Sequence, residues 1–279
     1  MSSGRGPTGI SNARWSKNDF AELYFIKSKM DIRSVQVLDK GYVQLLDTFG
    51  DDLTVVNAAR VSFNKEATGI TQKDEKLIKY LAEHNHVTPF FHPQVRMRIK
   101  MPIFVAREWF RHQIGFARNE VSRRYVDYEP EMYSPTLVRA RDVKLKQGSK
   151  AEAVHENPMA VAMIQDINDR ALETYTDLLR LGTAPEVART VLPQGMYTEF
   201  IETGSLAAYA RLCGLRLDPA AQLEIRLYAD AVRSLLMDKF PVSWRALMRE
   251  EAKGEENAAS PEAKASGALL DKLQSHVGC

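Results

Sequence analysis

Residues 94–101 alternate without a break, with Val95, Met97, Ile99 and Met101 on one side and Gln94, Arg96, Arg98 and Lys100 on the other. Successive side chains of a strand point to opposite faces, so this segment must form a half-buried strand with one face covered by an apolar layer. Around it the pattern is mixed. Residues 35–49 read as a strand or bent hairpin, and Asp51 or Asp52 offers an N-cap for a helix carrying Val55, Ala58, Ala59 and Val61. Residues 73–84 read as a helix with Leu77, Ile78 and Leu81 on one face, and Pro102 can open a helix carrying Phe104, Val105, Trp109 and Phe110. Asn157 and Pro158 are placed to cap a long helix to Gly182, and a second helix begins near Pro185 and stops at Pro193. Residues 196–203 suggest another strand. Gly204 and Ser205 then start a helix through Cys213, and Asp218-Pro219 starts a last long one to about Phe240. Strands and helices do not alternate regularly, which predicts an α+β fold, an antiparallel sheet packed with long helices.

The ends read differently. Residues 1–30 are expected to be a partly flexible arm, because 1–15 are rich in Ser, Gly and Arg without periodicity, although 20–26 suit a short element. Residues 31–250 are expected to form the folded domain, and 251–279 a mobile polar tail with a short helix over 269–273. No stretch approaches the apolar length of a membrane span, and no apolar block follows the charges near the start, so a soluble, cytoplasmic protein without a membrane partner is expected. The two cysteines, Cys213 and Cys279, support neither a disulfide framework nor a Cys-rich zinc site. A formal charge of +2 leaves anion binding to local clusters of arginine.

A Gly-x-Gly-x-x-Gly pattern at Gly4, Gly6 and Gly9 is discarded, since no strand precedes it, no helix follows and Pro7 lies inside it. His84, His86 and His92 lie close together, but only Glu83 stands beside them, so a turn at Thr88-Pro89 is favoured and no metal site is expected. The informative stretch is residues 107–125. Arg107, Arg111, Arg118, Arg123, Arg124 and His112 are interleaved there with Trp109, Phe110, Ile114, Phe116 and Val121. Guanidinium forks against an apolar floor suit phosphorylated anions, and Asn119 and Glu120 add groups able to read sugar hydroxyls or a base edge. Structural ion pairs explain the same composition equally well.

The order Arg111-His112-Gln113, Asn119-Glu120-Val121-Ser122 and Arg124-Tyr125 resembles the signature of flavin-dependent thymidylate synthases, Arg-His-Arg, seven residues, then Ser. The resemblance extends over roughly residues 35–240. It includes Ala59-Arg60-Val61-Ser62-Phe63, Thr88-Pro89-Phe90, Val187-Ala188-Arg189, Leu192-Pro193 and Leu215-Arg216 with Ala221-Gln222. It departs at Gln113, where the pattern usually has a second arginine, and in one extra residue between Gln113 and Ser122. Ser205 and Arg211 also stand where some members have asparagine, and Ala220 where some have histidine.

The resemblance implies a homotetramer whose active sites are shared between chains. The implied reaction is reductive methylation of dUMP to dTMP, with methylenetetrahydrofolate giving the carbon and NADPH-reduced FAD the hydride. By position, Glu108, Arg111, Glu120, Val121, Ser122, Arg123, Arg124, Arg189 and Arg216 are expected to contact dUMP. Thr88, Arg111, His112, Gln113, Glu120, Ser205 and Arg211 are expected to contact FAD. Arg216, flanked by Leu215 and Leu217, is expected to be the catalytic cation in apolar surroundings, against a bracing role with Asp218 or Glu224. Ser122 beside Arg123 and Arg124 suits phosphate better than nucleophilic attack. Tyr125 suits stacking, hydrogen bonding or a core position. Two rivals stand beside this reading: a methylase with a cysteine nucleophile, weakened because Cys213 has the spacing of helix packing, and an RNA- or ssDNA-binding module using residues 107–125, weakened by the low net charge so that no nucleic acid partner is expected.

Overall fold

The computed structural model describes residues 33–126, 128–143 and 148–250, so the expected arm over 1–30 and the tail over 251–279 lie outside the described residues. Five antiparallel strands form one sheet in the order β1-β2-β3-β7-β4, built from β1 (Ser34–Val37), β2 (Gly41–Phe49), β3 (Gln94–Pro102), β7 (Tyr197–Ser205) and β4 (Phe116–Glu120). A two-stranded ribbon, β5 (Arg139–Arg141) with β6 (Ser149–Ala153), stands apart from that sheet. The α+β antiparallel expectation holds, and residues 35–49 resolve into the hairpin β1-β2.

The alternation in β3 is realised as read. Val95, Met97, Ile99 and Met101 are fully buried, while Arg96 and Arg98 face water. Opposite them on β7 stand Gly204, Glu202, Phe200 and Thr198 on the same covered face. Three helices supply most of the cover: α6 (Leu206–Arg216) with Tyr209, Leu212 and Cys213, α7 (Leu223–Lys239) with Ile225, Tyr228, Val232 and Leu236, and α8 (Pro241–Met248) with Trp244. The helices α1 (Asp52–Arg60) and α2 (Gln72–Glu83) add Val55, Val56, Ile78 and Leu81. Among the described residues no helix is long and apolar enough to cross a membrane.

Several boundaries differ from the sequence reading for local reasons. Pro102 stands as the N-cap of α3 (Ile103–Trp109) rather than as its first residue; it ends β3 opposite Tyr197, and the first two N–H groups of the helix donate to Met196 O and Gln194 O. Asn157 and Pro158 lie inside α4 (Asn157–Arg180) rather than before it, and the Asn157 amide bridges Val138 N and Thr136 O instead of capping. The Asp218 carboxylate accepts from Ala220 N at 2.7 Å, closing a turn, so α7 starts only at Leu223. Helix α5 covers only Pro185–Ala188 before a 3-10 turn, Arg189–Val191.

Helix α8 has no counterpart in the periodicity, because its cap comes from a distant segment. Asp51 caps α1 as expected, which leaves the carboxylate of Asp52 free to reach across and accept from Val242 N at 2.9 Å and Ser243 N at 2.8 Å. Asp52 is 6% exposed, so these two bonds satisfy both a buried carboxylate and the orphan amides of a helix start. Replacing Asp52 with Ala is expected to cost about 2 kcal/mol, the upper range for losing a helix cap. Urea denaturation of the two proteins measures it, and an unchanged midpoint would refute the latch.

Candidate active site

Strand β4 has an unpromising sequence for a strand, Phe-Ala-Arg-Asn-Glu, yet it pairs with β7 from Phe116 opposite Gly204 to Glu120 opposite Phe200. What holds it is an ion pair on the covered face. Arg118 bonds Glu202, its direct cross-strand partner, and the Glu202 carboxylate also accepts from Trp109 Nε1 at 3.2 Å to both oxygens. Glu202 is fully buried, and burial pushes its carboxyl above the usual carboxylate range while Arg118 and Trp109 pull it back. The Arg118 guanidinium lies 4.6 Å from the Phe116 ring centre and 5.3 Å from that of Phe110. Gly204 permits this approach, since a Cβ there would stand 2.4 Å from the Phe116 ring.

The turn between α3 and β4 carries Arg111, His112 and Gln113 and closes at Gly115, whose φ of +85° suits only glycine without strain. The side chains of Arg111 and Gln113 are exposed and have no hydrogen-bond or ion-pair partner among the described residues. His112 turns inward, 8% exposed, and its Nε2 accepts from Arg216 Nε at 2.9 Å, which leaves the ring proton on Nδ1. Arg216 sits in the last turn of α6 and also reaches Glu108, Nη2 donating to the main-chain oxygen at 3.1 Å and Nη1 lying 3.5 Å from Oε2. Burial, with Arg216, Arg211 and Arg118 nearby, lowers the His112 pKa to about 4. The neutral imidazole therefore stays an acceptor for a cation it would otherwise repel.

A second group of residues lines a cleft of about 500 Å³. Glu120 enters from the end of β4, Val121, Ser122 and Arg123 from the loop after it, Arg189 and Thr190 from the 3-10 turn, and Tyr197 and Thr198 from the start of β7, over an apolar floor of Ile103, Leu192 and Met196. Five of the nine residues expected to contact dUMP thus meet in one place, whereas Glu108, Arg111 and Arg216 lie outside that lining. Arg124, exposed, is held 3.2 Å from Glu186, whose main-chain oxygen also accepts from Arg189 Nε at 3.3 Å.

Two expectations are corrected, the surroundings of Arg216 and the core role of Tyr125. Arg216 is not in apolar surroundings and pairs with neither Asp218 nor Glu224; Glu108 and His112 hold it, and Glu224 is taken by a bidentate bond from Arg139 at 2.8 and 2.9 Å. Arg123 lines the cleft but is itself buried, its guanidinium donating to Tyr128 O and lying 4.2 Å from the Tyr128 ring centre. Tyr125 has no core role, being 80% exposed. Among the expected flavin contacts, Thr88 is exposed at the start of a 3-10 turn (Thr88–Phe91), Arg211 Nη2 donates to Ile114 O at 2.6 Å, and the Ser205 hydroxyl is buried, accepting from Ala208 N as the cap of α6. Of the histidines, His84 stacks on Tyr80 with ring centres 4.1 Å apart and His86 meets the same ring edge-on. Residues 107–125 are not a continuous basic and aromatic surface, because Trp109, Arg118 and Arg123 all point inward. Glu202 and Thr198 were missed; the signal was a carboxylate and a hydroxyl at the period-two core positions of β7, in step with Phe200.

Residues 44–242 match the family model for thymidylate synthase complementing protein. The chain is 40% identical over 213 residues to a flavin-dependent thymidylate synthase of Thermus thermophilus, covering 76% of this chain and 77% of that one. It is 39% identical over 221 residues to the flavin-dependent thymidylate synthase of Thermosipho africanus, covering 79% and 96%. The chain belongs to the flavin-dependent thymidylate synthase family. A solved UMP/dUMP methylase, PolB from Streptomyces cacaoi bound with 5-Br dUMP, superimposes on it with a TM-score of 0.69 at 28% identity, covering 77% of this chain and 97% of that one. Membership makes this family protein an enzyme of the methyltransferase class, and the two residue groups described above are where its chemistry is to be sought.

The buried imidazole of this thymidylate synthase family member carries a pH signature. Because the folded pKa of His112 is depressed to about 4, the unfolded chain binds a proton first, and stability present above the ordinary value near 6.5 is lost as pH falls from there through about 4. The span corresponds to roughly 3 kcal/mol at full effect. Proton NMR of the His112 ring should show a midpoint near 4. A midpoint near the ordinary value for histidine would contradict the buried acceptor role.

Proposed function

We propose that this enzyme converts dUMP to dTMP, taking the carbon from methylenetetrahydrofolate and the hydride from FAD reduced by NADPH, without a cysteine nucleophile. The observation that carries the reading is the cleft in which Glu120, Val121, Ser122 and Arg123 meet Arg189, from a segment distant in sequence. Its size suits a nucleotide, and its groups are graded: Arg189 and the Ser122 hydroxyl are donors for phosphate, with Arg124 close by, while Glu120 is an acceptor at the other end of the same loop. Arg123, already bonded to Tyr128 O, serves by holding that loop in place.

Glu108, Arg111 and Arg216 belong to the same expected site yet lie outside the cleft lining. A homotetramer in which one subunit supplies the cleft and another supplies the Arg216 cluster accounts for both groups. The residues expected at the flavin fit such a group: Arg111 and Gln113 are exposed and unpartnered donors suited to a pyrophosphate, Arg211 fixes the turn through Ile114 O, and Ile114 is 70% exposed beside them. Gln113 in place of arginine leaves Arg111 as the one exposed guanidinium of this turn. Bound there, the flavin supplies reducing equivalents that the protein side chains cannot.

The side chains divide the remaining chemistry. Uracil C5 becomes nucleophilic when negative charge is drawn into the ring, and a fixed guanidinium facing N3 and an adjacent carbonyl oxygen stabilises that charge. Arg216 has the required fixity, since Glu108 and neutral His112 bind two sides of its fork and leave the cation uncancelled by any close bidentate carboxylate. Cys213 cannot act in its place, because its thiol is fully buried, burial pushes its pKa far up, and Sγ donates to Ala229 O. Ser122 Oγ accepts from Arg124 N at 3.3 Å, and among the described residues no histidine or carboxylate is bonded to it to serve as a base.

The purified protein should be yellow, sediment as a tetramer, bleach on adding NADPH and form dTMP from dUMP and methylenetetrahydrofolate. A colourless protein, or a monomer with full turnover, would overturn the reading. Replacing Arg216 with Ala should leave the protein folded and yellow while dTMP formation falls roughly 100-fold or more, the scale for one preorganised donor. Arg216→Lys should recover little, because an ammonium cannot bridge Glu108 and His112 with a planar fork. Near-normal turnover by well-folded Arg216→Ala would sink the assignment.

A further inference from the structure

We propose that Thr198 is a positioning residue that aims the Glu120 carboxylate at the sugar 3′-hydroxyl of the nucleotide, an inference that rests on the cleft taking dUMP. Thr198 lies on the covered face of β7, opposite Met101 and 4% exposed, and its hydroxyl donates to Glu120 Oε1. Glu120 is exposed at the last rung of β4; beyond it a single bond, Val121 N to Glu199 O at 2.9 Å, holds the chain before it leaves the sheet. An exposed glutamate at a strand end has three free side-chain torsions, and ordering them on binding weakens affinity. The Thr198 bond removes that freedom in advance and occupies one carboxylate oxygen, while Oε2 has no donor among the described residues.

The chemistry of the carboxylate selects what it meets. It only accepts hydrogen bonds and repels phosphate, so it must face a donor on the nucleoside part. That part of dUMP offers two, N3–H and the 3′-hydroxyl, and the N3 edge is the one assigned to Arg216. The 3′-hydroxyl remains. Glu120 and Thr198 both line the cleft, with Ser122 and Arg189 available for the phosphate. A neutral–ionic hydrogen bond between Glu120 and the sugar is then strengthened by a side chain that does not touch the substrate itself.

The test titrates flavin-loaded protein calorimetrically with dUMP and with 2′,3′-dideoxyuridine 5′-monophosphate, which lacks that hydroxyl. Thr198→Val, nearly isosteric, should weaken dUMP about 10-fold, the scale for one charge-assisted hydrogen bond, and the dideoxy nucleotide less than about 2-fold. Thr198→Ser should restore dUMP affinity, and Thr198→Val should keep its flavin and raise KM for dUMP more than it lowers kcat. Equal loss for both nucleotides, loss of flavin instead, or failure of serine to rescue would each overturn the proposal. Glu120→Gln separates the two layers of the argument. If it weakens dUMP selectively while Thr198→Val does not, only the positioning role fails; if it leaves dUMP affinity intact, the assignment of Glu120 to the substrate fails with it.

Discussion

Everything around the site hangs from one buried pair of charges, Arg118 and Glu202. Desolvating two ions is costly, and a pair of this kind is weak evidence of net stabilisation, but removing either partner would strand the other at a cost of about 3–5 kcal/mol. The pair therefore works as a registration device. A one-residue slip of β4 against β7 would turn Arg118 to water and leave the buried Glu202 carboxylate without its cation, bonded to Trp109 Nε1 beside Met97. With the register fixed, Glu120 must fall at the last rung, Val121 to Arg123 must pass over the cleft, and the turn with Arg111, His112 and Gln113 must stand at the other end of the same short strand.

That device explains what the sequence reveals and what it hides. Strand β3 is legible because its alternation is complete and its burial follows it residue by residue. The ends of α1 and α6 are legible because Asp51 and Ser205 act within three residues of themselves. Strand β4 is not, since its fitness as a strand lies in a partner more than eighty residues away in the chain. The same holds for α8, whose cap is 190 residues distant, and for Arg216, whose neighbours in sequence are leucines and whose neighbours in space are Glu108 and His112. Local chemistry is written locally; polar partners across the fold are not.

The site shows the same division. The resemblance named nine residues for the nucleotide, and five of them meet in the cleft. It did not distinguish a side chain that faces a ligand from one that props up its neighbour. Arg123 and Ser205 spend their polar atoms on Tyr128 O and Ala208 N, and Arg211 on Ile114 O. The Arg123 and Arg211 bonds each fix a loop that carries a more open group, Ser122 in one and Arg111 and Gln113 in the other. Rigid support for an exposed donor is the condition for preorganised electrostatics, and it uses as many polar side chains as the contacts themselves.

The reach of Asp52 across the fold sets a timetable for the ribosome. Its carboxylate is made 190 residues before the first amide it accepts from. At the usual rate of about 5–20 residues per second, that interval is roughly 10–40 seconds, to which the length of the exit tunnel adds more. Until then α1, β2 and β3 are out of the ribosome with their apolar faces uncovered, because α6, α7 and α8, which cover them, are the last helices described. For about half of its synthesis such a nascent chain carries β2 and β3 without that cover, and the charged outer face of β3, with Arg96, Arg98 and Lys100, works to keep neighbouring chains apart.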